Sequence, residues 1–195
     1  MPKRTKEQAA ETRDTLLRMA RESFSNQGYA GTSVAAVAAA AGTTKGALFH
    51  YFSSKEALFL EVWTALQLEM DAAARASAAA ARSKTDPYAA FLAGARVYLE
   101  WATRADYQSI VLVDGPSVLG MARWHELDFQ LGRQNMTRGV AHLAQQGLLA
   151  EERVRPAAVL LQAALNGAGF ALSSGDRSVT AEDLLATFEQ ILRGL

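Results

Sequence analysis

The chain is predicted to be all-α, with about nine helices. Three observations predict it. Half of the 195 residues are hydrophobic, alanine is abundant and runs of Val, Ile and Thr are short, which is the composition helix propensity favours. No stretch alternates apolar and polar residues for long enough to make a strand, and no Asn-Gly or Asp-Gly pair stands between two such stretches as a hairpin turn. Apolar residues instead recur at helical spacing between Gly, Pro, Ser and Thr punctuation.

The first helix is expected over 7–27, where Leu16, Leu17, Ala20 and Phe24 make one apolar stripe and Gly28 ends it by taking a positive φ. After Tyr29-Ala30-Gly31, Thr32 or Ser33 caps a second helix over 33–40. Gly42 stops that helix, and Thr43 or Thr44 caps a third over 44–52. Ser53 and Glu56 stand at the spacing of a capping box and open a long fourth helix reaching Arg82. Asp86-Pro87 marks the next boundary, with Pro in the first turn of a fifth helix whose buried stripe is Tyr88, Phe91, Leu92, Ala95, Leu99 and Ala102. A short sixth helix over 106–113 is halted by Asp114-Gly115-Pro116. Another long helix runs to Gln146 and is closed by Gly147. Helices over 156–173 and 181–192 complete the set, the last capped by Thr180 after a turn at Ser174-Gly175-Asp176. The alanine-rich stretch 72–81 reads as the weakly specified outer part of the fourth helix.

Charge and composition exclude several classes. Twenty basic and twenty acidic side chains give a net charge of zero, so an even basic coat is excluded and a local patch is not. Residues 1–60 carry a net +3, which leaves −3 for the rest, a mildly basic head on a mildly acidic body. Without cysteine there is no disulfide, thiolate metal site or Cys nucleophile. No apolar run is expected to reach the roughly 18 residues of a membrane span, and the polar stretch 1–14 does not resemble a secretory signal. The expectation is a soluble cytoplasmic protein with no membrane partner.

The informative stretch is 32–56. Two short helices joined by Ala41-Gly42-Thr43 form a helix-turn-helix, with Val34, Val37, Ala38, Leu48 and Phe52 locking them to the first helix. That leaves Thr43, Thr44, Lys45, Gly46, Phe49, His50 and Tyr51 outward or at the helix start. An α-helix fits the major groove of B-DNA, and its N-terminal residues reach base edges. Gly46 has no side chain, so this helix can approach closely.

Residues 11–63 resemble the DNA-binding domain of the TetR/AcrR family of bacterial transcriptional repressors. The matching residues are Ala20, Phe24, Gly28, Tyr29, Thr32-Ser33, Ala38, Ala41-Gly42, the run Thr44 to Phe52, and Ser54 to Leu58. The segment Asp114 to Gly120 followed by Trp124 looks like a subset of the same family. Two positions depart from its pattern: Phe49 stands where a phosphate-touching Tyr is common, and Ala36 where a polar or acidic residue is. The resemblance implies an N-terminal DNA-binding domain, 1–53, and a C-terminal ligand-binding and dimerisation domain, 54–195. It implies a homodimer on an operator palindrome of double-stranded DNA that a small effector releases.

Each candidate residue has a plainer reading beside the functional one. Lys45 and Lys55 are solvated charges elsewhere and phosphate contacts inside this motif. Thr44 is an N-cap and a base or phosphate contact. Thr32 is a cap first and a phosphate contact second. His50 and Tyr51 either cover the interhelical joint or touch DNA. Lys3, Arg4 and Lys6 read as a frayed tail before a minor-groove arm. Among the aromatics, Trp63, Phe91, Tyr98, Trp101, Tyr107, Trp124 and Phe129 are packed core or line a ligand cavity. Asn166 is a satisfied core amide or a ligand anchor. His125, Glu126 and Asp128 suggest a metal, but no His-Glu-x-x-His or Glu-x-x-His spacing supports it, and no cofactor is expected. The last two helices are apolar on more than one face, which fits a four-helix dimer interface. An activator, a ligand-independent DNA-binding protein and, more distantly, a helical enzyme or carrier are the alternatives. Catalysis has no support in a chain with no Cys, three His and no phosphate-cradling loop.

Overall fold

A computed structural model describes residues 6–174 and 178–195, with the side chains of all of them except 129 and 131–134. Among the described residues ten α-helices follow one another: α1 (Lys6–Gly31), α2 (Val34–Ala40), α3 (Lys45–Tyr51), α4 (Lys55–Ala80), α5 (Ala89–Ala102), α6 (Ala105–Tyr107), α7 (Gly115–Leu119), α8 (Met121–Gln145), α9 (Val154–Ser173) and α10 (Ala181–Arg193). A π-helical turn, Gln108–Asp114, lies before α7, and a 3-10 turn, Glu151–Arg153, before α9. No strand occurs among the described residues, as the all-α expectation required.

Most boundaries follow the local chemistry. Gly28 breaks α1 with φ 68° and ψ 171°, and Gly42 turns the chain between α2 and α3 with φ +68°. A side chain is strained in that left-handed region, so both positions favour glycine. Thr44 accepts from the Ala47 N–H at 3.1 Å and caps α3. Thr180 and Asp183 form a reciprocal capping box at α10.

Three expected signals act differently. The cap of α4 is Ser54, which accepts from the Ala57 N–H at 3.0 Å, and not Ser53 with Glu56. Pro87 sits in a turn before α5, where Asp86 accepts the Tyr88 N–H at 3.0 Å. Asp114-Gly115-Pro116 does not halt the chain, which stays helical to Leu119. Pro116 lies just after the π-helical turn, within a stretch that is helical on both sides of it, and Gly120 makes the break with φ +76°. The expected turn at Ser174-Gly175-Asp176 falls largely outside the described residues. The expectation about apolar length is also corrected. Glu151–Ser173 is long and apolar enough to cross a bilayer by length and composition alone, although α9 buries Leu161 and Leu165 inside the protein.

The chain forms two compact units that do not follow chain order. One comprises the chain through Leu66 together with Ala105–Met121, and the other Gln67–Arg104 together with Ala122–Leu195. In the first, Leu16, Ala20 and Phe24 of α1 meet Val37 and Ala38 of α2, Leu48 of α3, and Leu58, Phe59 and Trp63 of α4, all fully buried. Burying each large member is worth roughly 1.5–3 kcal/mol. Segment 105–119 is fastened to α1 by polar contacts. Arg21 pairs with Asp106 at 2.7 Å. Ser109 donates to the Phe24 carbonyl at 3.1 Å, and the Tyr29 N–H donates to Asp114 at 2.6 Å. In the second unit, α5, α9 and α10 pack together around Leu99, Leu161, Phe188 and Leu192.

Candidate nucleic-acid interface and cavity

The first unit presents α3 as an exposed helix with a locked back. Leu48 is fully buried, and Phe52 just past its end is 2% exposed. Lys45, Gly46, Phe49 and His50 are exposed, and Phe49 keeps 41% of its surface despite being apolar. Lys45 Nζ lies 5.9 Å from the Phe49 ring centre, as helical neighbours do. A methyl group built at Gly46 meets only Thr44 Oγ1, at 3.9 Å, so nothing in the chain's own packing demands glycine there.

The remaining expected contacts are less free. Thr44 is exposed, but its hydroxyl already accepts the Ala47 N–H. Thr43 and Tyr51 are half-buried, and Tyr51 leans on Phe52 with ring centres 6.4 Å apart. Lys55 is half-buried with its ammonium 4.3 Å over the Tyr29 ring. Thr32 is 4% exposed and donates its hydroxyl to the Gly28 carbonyl at 2.8 Å. That fastens the end of α1 and withdraws its side chain from the surface. Ser33 is the N-cap of α2, without a side-chain hydrogen bond. Lys3 and Arg4 lie outside the described residues. Ser33, a cap candidate, and Ala36, a departure from the family pattern, form with Ala35 and Ala39 an exposed, small-residue surface on and before α2, where the sequence named no DNA contact.

The second unit contains a cavity of about 690 Å³, within the usual range for small-molecule sites. Of the expected lining residues, Phe91, Tyr98 and Asn166 are there. Trp63 and Tyr107 are instead fully buried core of the first unit, and the Trp63 indole N–H finds no acceptor among the described residues. Trp101 stacks under Arg104, with the guanidinium carbon 3.9 Å from its ring centre, and does not line the cavity. Trp124 is packed on Phe170, with ring centres 5.4 Å apart, and does not line it either. The Phe129 side chain is outside the described residues.

What the sequence reading missed is the material of the cavity wall. Ala74, Ala78 and Ala79, in the stretch taken as weakly specified, line it together with Gly94 and Ala95, and a methyl at Gly94 would touch the Ala74 carbonyl at 3.7 Å and the Ala78 methyl at 3.9 Å. Small side chains leave the space open. Two further glycines admit aromatic rings: a methyl at Gly139 would fall 2.6 Å from the Phe91 ring, and one at Gly169 would fall 2.5 Å from the Tyr98 hydroxyl. The Tyr98 hydroxyl is pushed far above its usual range by burial and, secondarily, by the charge of Asp128.

Asp128 is the polar centre. It does not gather with Glu126, which accepts from Gln130. One carboxylate oxygen accepts from Gln67 at 3.0 Å and the other from Asn166 at 2.6 Å, while Gln162 donates to its backbone carbonyl at 3.4 Å. Burial raises its pKa, against the lowering effects of the Asn166 and Gln67 hydrogen bonds and of His125. Asp71 also lines the cavity, paired with Arg75 at 3.0 Å and accepting from Asn135.

Two family models match separate stretches of the chain. Residues 16–62 match the family model described as bacterial regulatory proteins, tetR family, and residues 88–195 match the one described as tetracyclin repressor-like, C-terminal domain. The chain is 35% identical to the crystal structure of a TetR-family transcriptional regulator from Pectobacterium atrosepticum, with a TM-score of 0.83, covering 98% of this chain and 97% of that one. Over 63 residues it is 44% identical to the HTH-type transcriptional regulator AcrR of Shigella flexneri, covering 32% of this chain and 29% of that protein. Over 77 residues it is 39% identical to the HTH-type transcriptional regulator TtgR of Pseudomonas putida, covering 40% and 37%. The match thus spans about a third of the length of these curated relatives.

Proposed function

This chain belongs to the TetR family of bacterial transcriptional regulators, and on that premise we propose that it is a ligand-released repressor. It binds a palindromic operator in double-stranded DNA as a homodimer and lets go when a small molecule fills the cavity of its second unit. The DNA-reading domain is residues 1–53, and 54–195 serve ligand binding and dimerisation. A dimer sitting on an operator excludes other proteins from that DNA, so repression needs nothing beyond occupancy.

One observation carries the DNA half: α3 exposes a face on which a glycine stands where the protein itself needs none. A helix that enters the major groove benefits from a bare patch at its start. Lys45 and His50 supply phosphate or base contacts on that face, with Thr43, Thr44, Phe49 and Tyr51 around them. Lys55, held over Tyr29, reaches a flanking phosphate. Thr32, whose hydroxyl and N–H are both donated to carbonyls of α1, assists by holding the end of that helix.

The homodimer forms through α9 and α10. Val159 and Leu160 are 43% and 66% exposed, Ile191 is 48% exposed, and Ala163, Ala164 and Gly167 lie open beside them on α9. A four-helix bundle with a second copy buries this apolar face. The ligand prefers a body conformation in which the two reading heads are wrongly spaced, so release follows from its differential affinity for the two states.

The test begins with the full-length protein and a pool of random duplexes. The selected sequences are expected to be palindromic, with half-sites about one DNA turn apart or slightly more. Gly46→Ala is then expected to raise the melting temperature slightly, because alanine is the better helix former, and to weaken operator binding. No preference for any duplex across a salt titration overturns the reading, as does operator binding unaffected by Gly46→Ala. Leu160→Glu is expected to give a monomer by sedimentation.

A further inference from the structure

The second unit carries a carboxylate that its own residues surround without neutralising. Asp128 of α8 is met by Gln67 of α4 and by Gln162 and Asn166 of α9. Gln67 and Gln162 are 3% and 7% exposed, so two of the three amides are spent inside the protein on this one residue. Amides donate hydrogen bonds but bring no charge. No Lys or Arg lies within salt-bridge distance of Asp128 among the described residues. The cationic groups that line the cavity, Arg75, Arg82, Arg138 and His142, are exposed, and Arg75 is already paired with Asp71. The charge that acts on this half-buried carboxylate is that of the exposed His125. A carboxylate so incompletely compensated costs stability, and a ligand that brings a closer cation recovers that cost.

We propose that the cavity binds an amphipathic organic cation, its ammonium or amidinium nitrogen seated on the Asp128 carboxylate and its apolar body lying against Met70, Ala74, Ala78, Phe91 and Leu165. This deepens the effector reading above and rests on it. Gln67 and Asn166 are positioning residues: each holds one oxygen and leaves that oxygen's second lone pair to the ligand. The cavity volume of about 690 Å³ has room for a ring system with a chain, and the alanine wall gives the body no polar partner of its own. Burial raises the Asp128 pKa more than its hydrogen bonds and His125 lower it, which fits a site with room for a further positive charge.

The experiment uses three probes with one body: phenylhexylamine, phenylhexanol and phenylhexanoate. Each is titrated into the full-length dimeric protein by calorimetry at neutral pH. The amine is expected to bind at least about tenfold more tightly than the alcohol, and the carboxylate more weakly than both. In Asp128→Asn the preference for the amine is expected to fall to about twofold or less, while the alcohol binds as in wild type. The melting temperature of the ligand-free variant is expected to equal or exceed that of the wild type, because a carboxylate retained for a ligand is no structural support. A lower melting temperature with the amine preference intact overturns the assignment of Asp128. Equal binding of all three probes, or tighter binding of the carboxylate, overturns the cationic class and leaves the effector cavity standing. Failure of all three probes to bind overturns the class and the cavity reading together. Because the probe series is run on wild type, the class is decided even if the variant fails to fold.

Discussion

The first unit fills its interior with large side chains, and the second leaves its interior open. Leu16, Phe24, Leu48, Phe59 and Trp63 have no exposure in the first. In the second, Ala74, Ala78, Gly94 and Ala95 line the space that is left over. A part that must present one helix rigidly gains from close packing, which makes a core bistable or fixed but not soft. A part that must admit a guest needs volume that the chain does not fill. The same composition, rich in alanine, serves both purposes by where the large residues fall.

The sharpest way to break this contrast is to exchange the two designs. Phe24→Ala in the first unit is expected to cost about 3–5 kcal/mol, read by chemical denaturation, and to abolish operator binding with it. Ala78→Leu in the second adds volume where space exists and is expected to change stability by less than about 1 kcal/mol while blocking ligand binding. A large loss from Ala78→Leu would mean that the wall is packed and the cavity is not a binding site.

Gly169→Ala places the limit of that tolerance. It lies in the same unit, but its methyl would fall 2.5 Å from the Tyr98 hydroxyl. The ring must shift, and overpacking of this kind costs about 1–3 kcal/mol. Thermal melting of Gly169→Ala beside Ala78→Leu therefore separates a filled part of the second unit from the open one. Tyr98→Phe in the Gly169→Ala background is expected to restore part of the loss, since it removes the atom in the way.

These two units also differ in how far the sequence could be read. In the first, the decisive signals are local: Gly28, Gly42 and Thr44 each act on neighbours a few residues away, and each takes the conformation or cap its type predicts. Of the two exceptions one is still local, Thr32 donating back to Gly28 four residues earlier, and one is tertiary, Lys55 lying over Tyr29 because α1 packs against α4. In the second unit, Asp128 meets Gln67 across 61 residues and Asn166 across 38. No periodicity announces such a meeting. Large aromatics were an uneven guide: Phe91 and Tyr98 line the cavity, whereas Trp63, Tyr107 and Trp124 are buried where they fill space. Asn166 was the informative residue, since an amide in an apolar helix needs a partner.

Thr44→Ala tests the local side of the contrast at a smaller scale. Loss of the cap on α3 is expected to cost about 1 kcal/mol. Thr44→Ser keeps the acceptor and is expected to recover most of that stability. If Thr44 serves only as a cap, Ser also recovers operator binding in full, and a residual binding defect in Thr44→Ser assigns the methyl group to the DNA.

The smallest effect concerns two carboxylates whose surroundings shift them in opposite directions. Asp183 is exposed and accepts from the Thr180 hydroxyl at 2.6 Å and the Thr180 N–H at 3.0 Å, which hold its pKa below the ordinary carboxylate value. Its contribution to stability is therefore complete above that ordinary value and is lost as pH falls through the lowered one. Burial raises Asp128, so the folded protein keeps a proton there that the unfolded chain has already released. Its contribution is complete below the ordinary carboxylate value and is lost as pH rises through the raised one. Subtracting the melting curve of Asp128→Asn from that of ligand-free wild type isolates the second term. The difference is expected to move in favour of the variant as pH rises from the acid range towards neutral, and saturating phenylhexylamine is expected to reverse it by supplying the cation. A difference that stays flat over that range would show that Asp128 is as well solvated as Asp183, and the interior of the second unit would then be no poorer in countercharge than its surface.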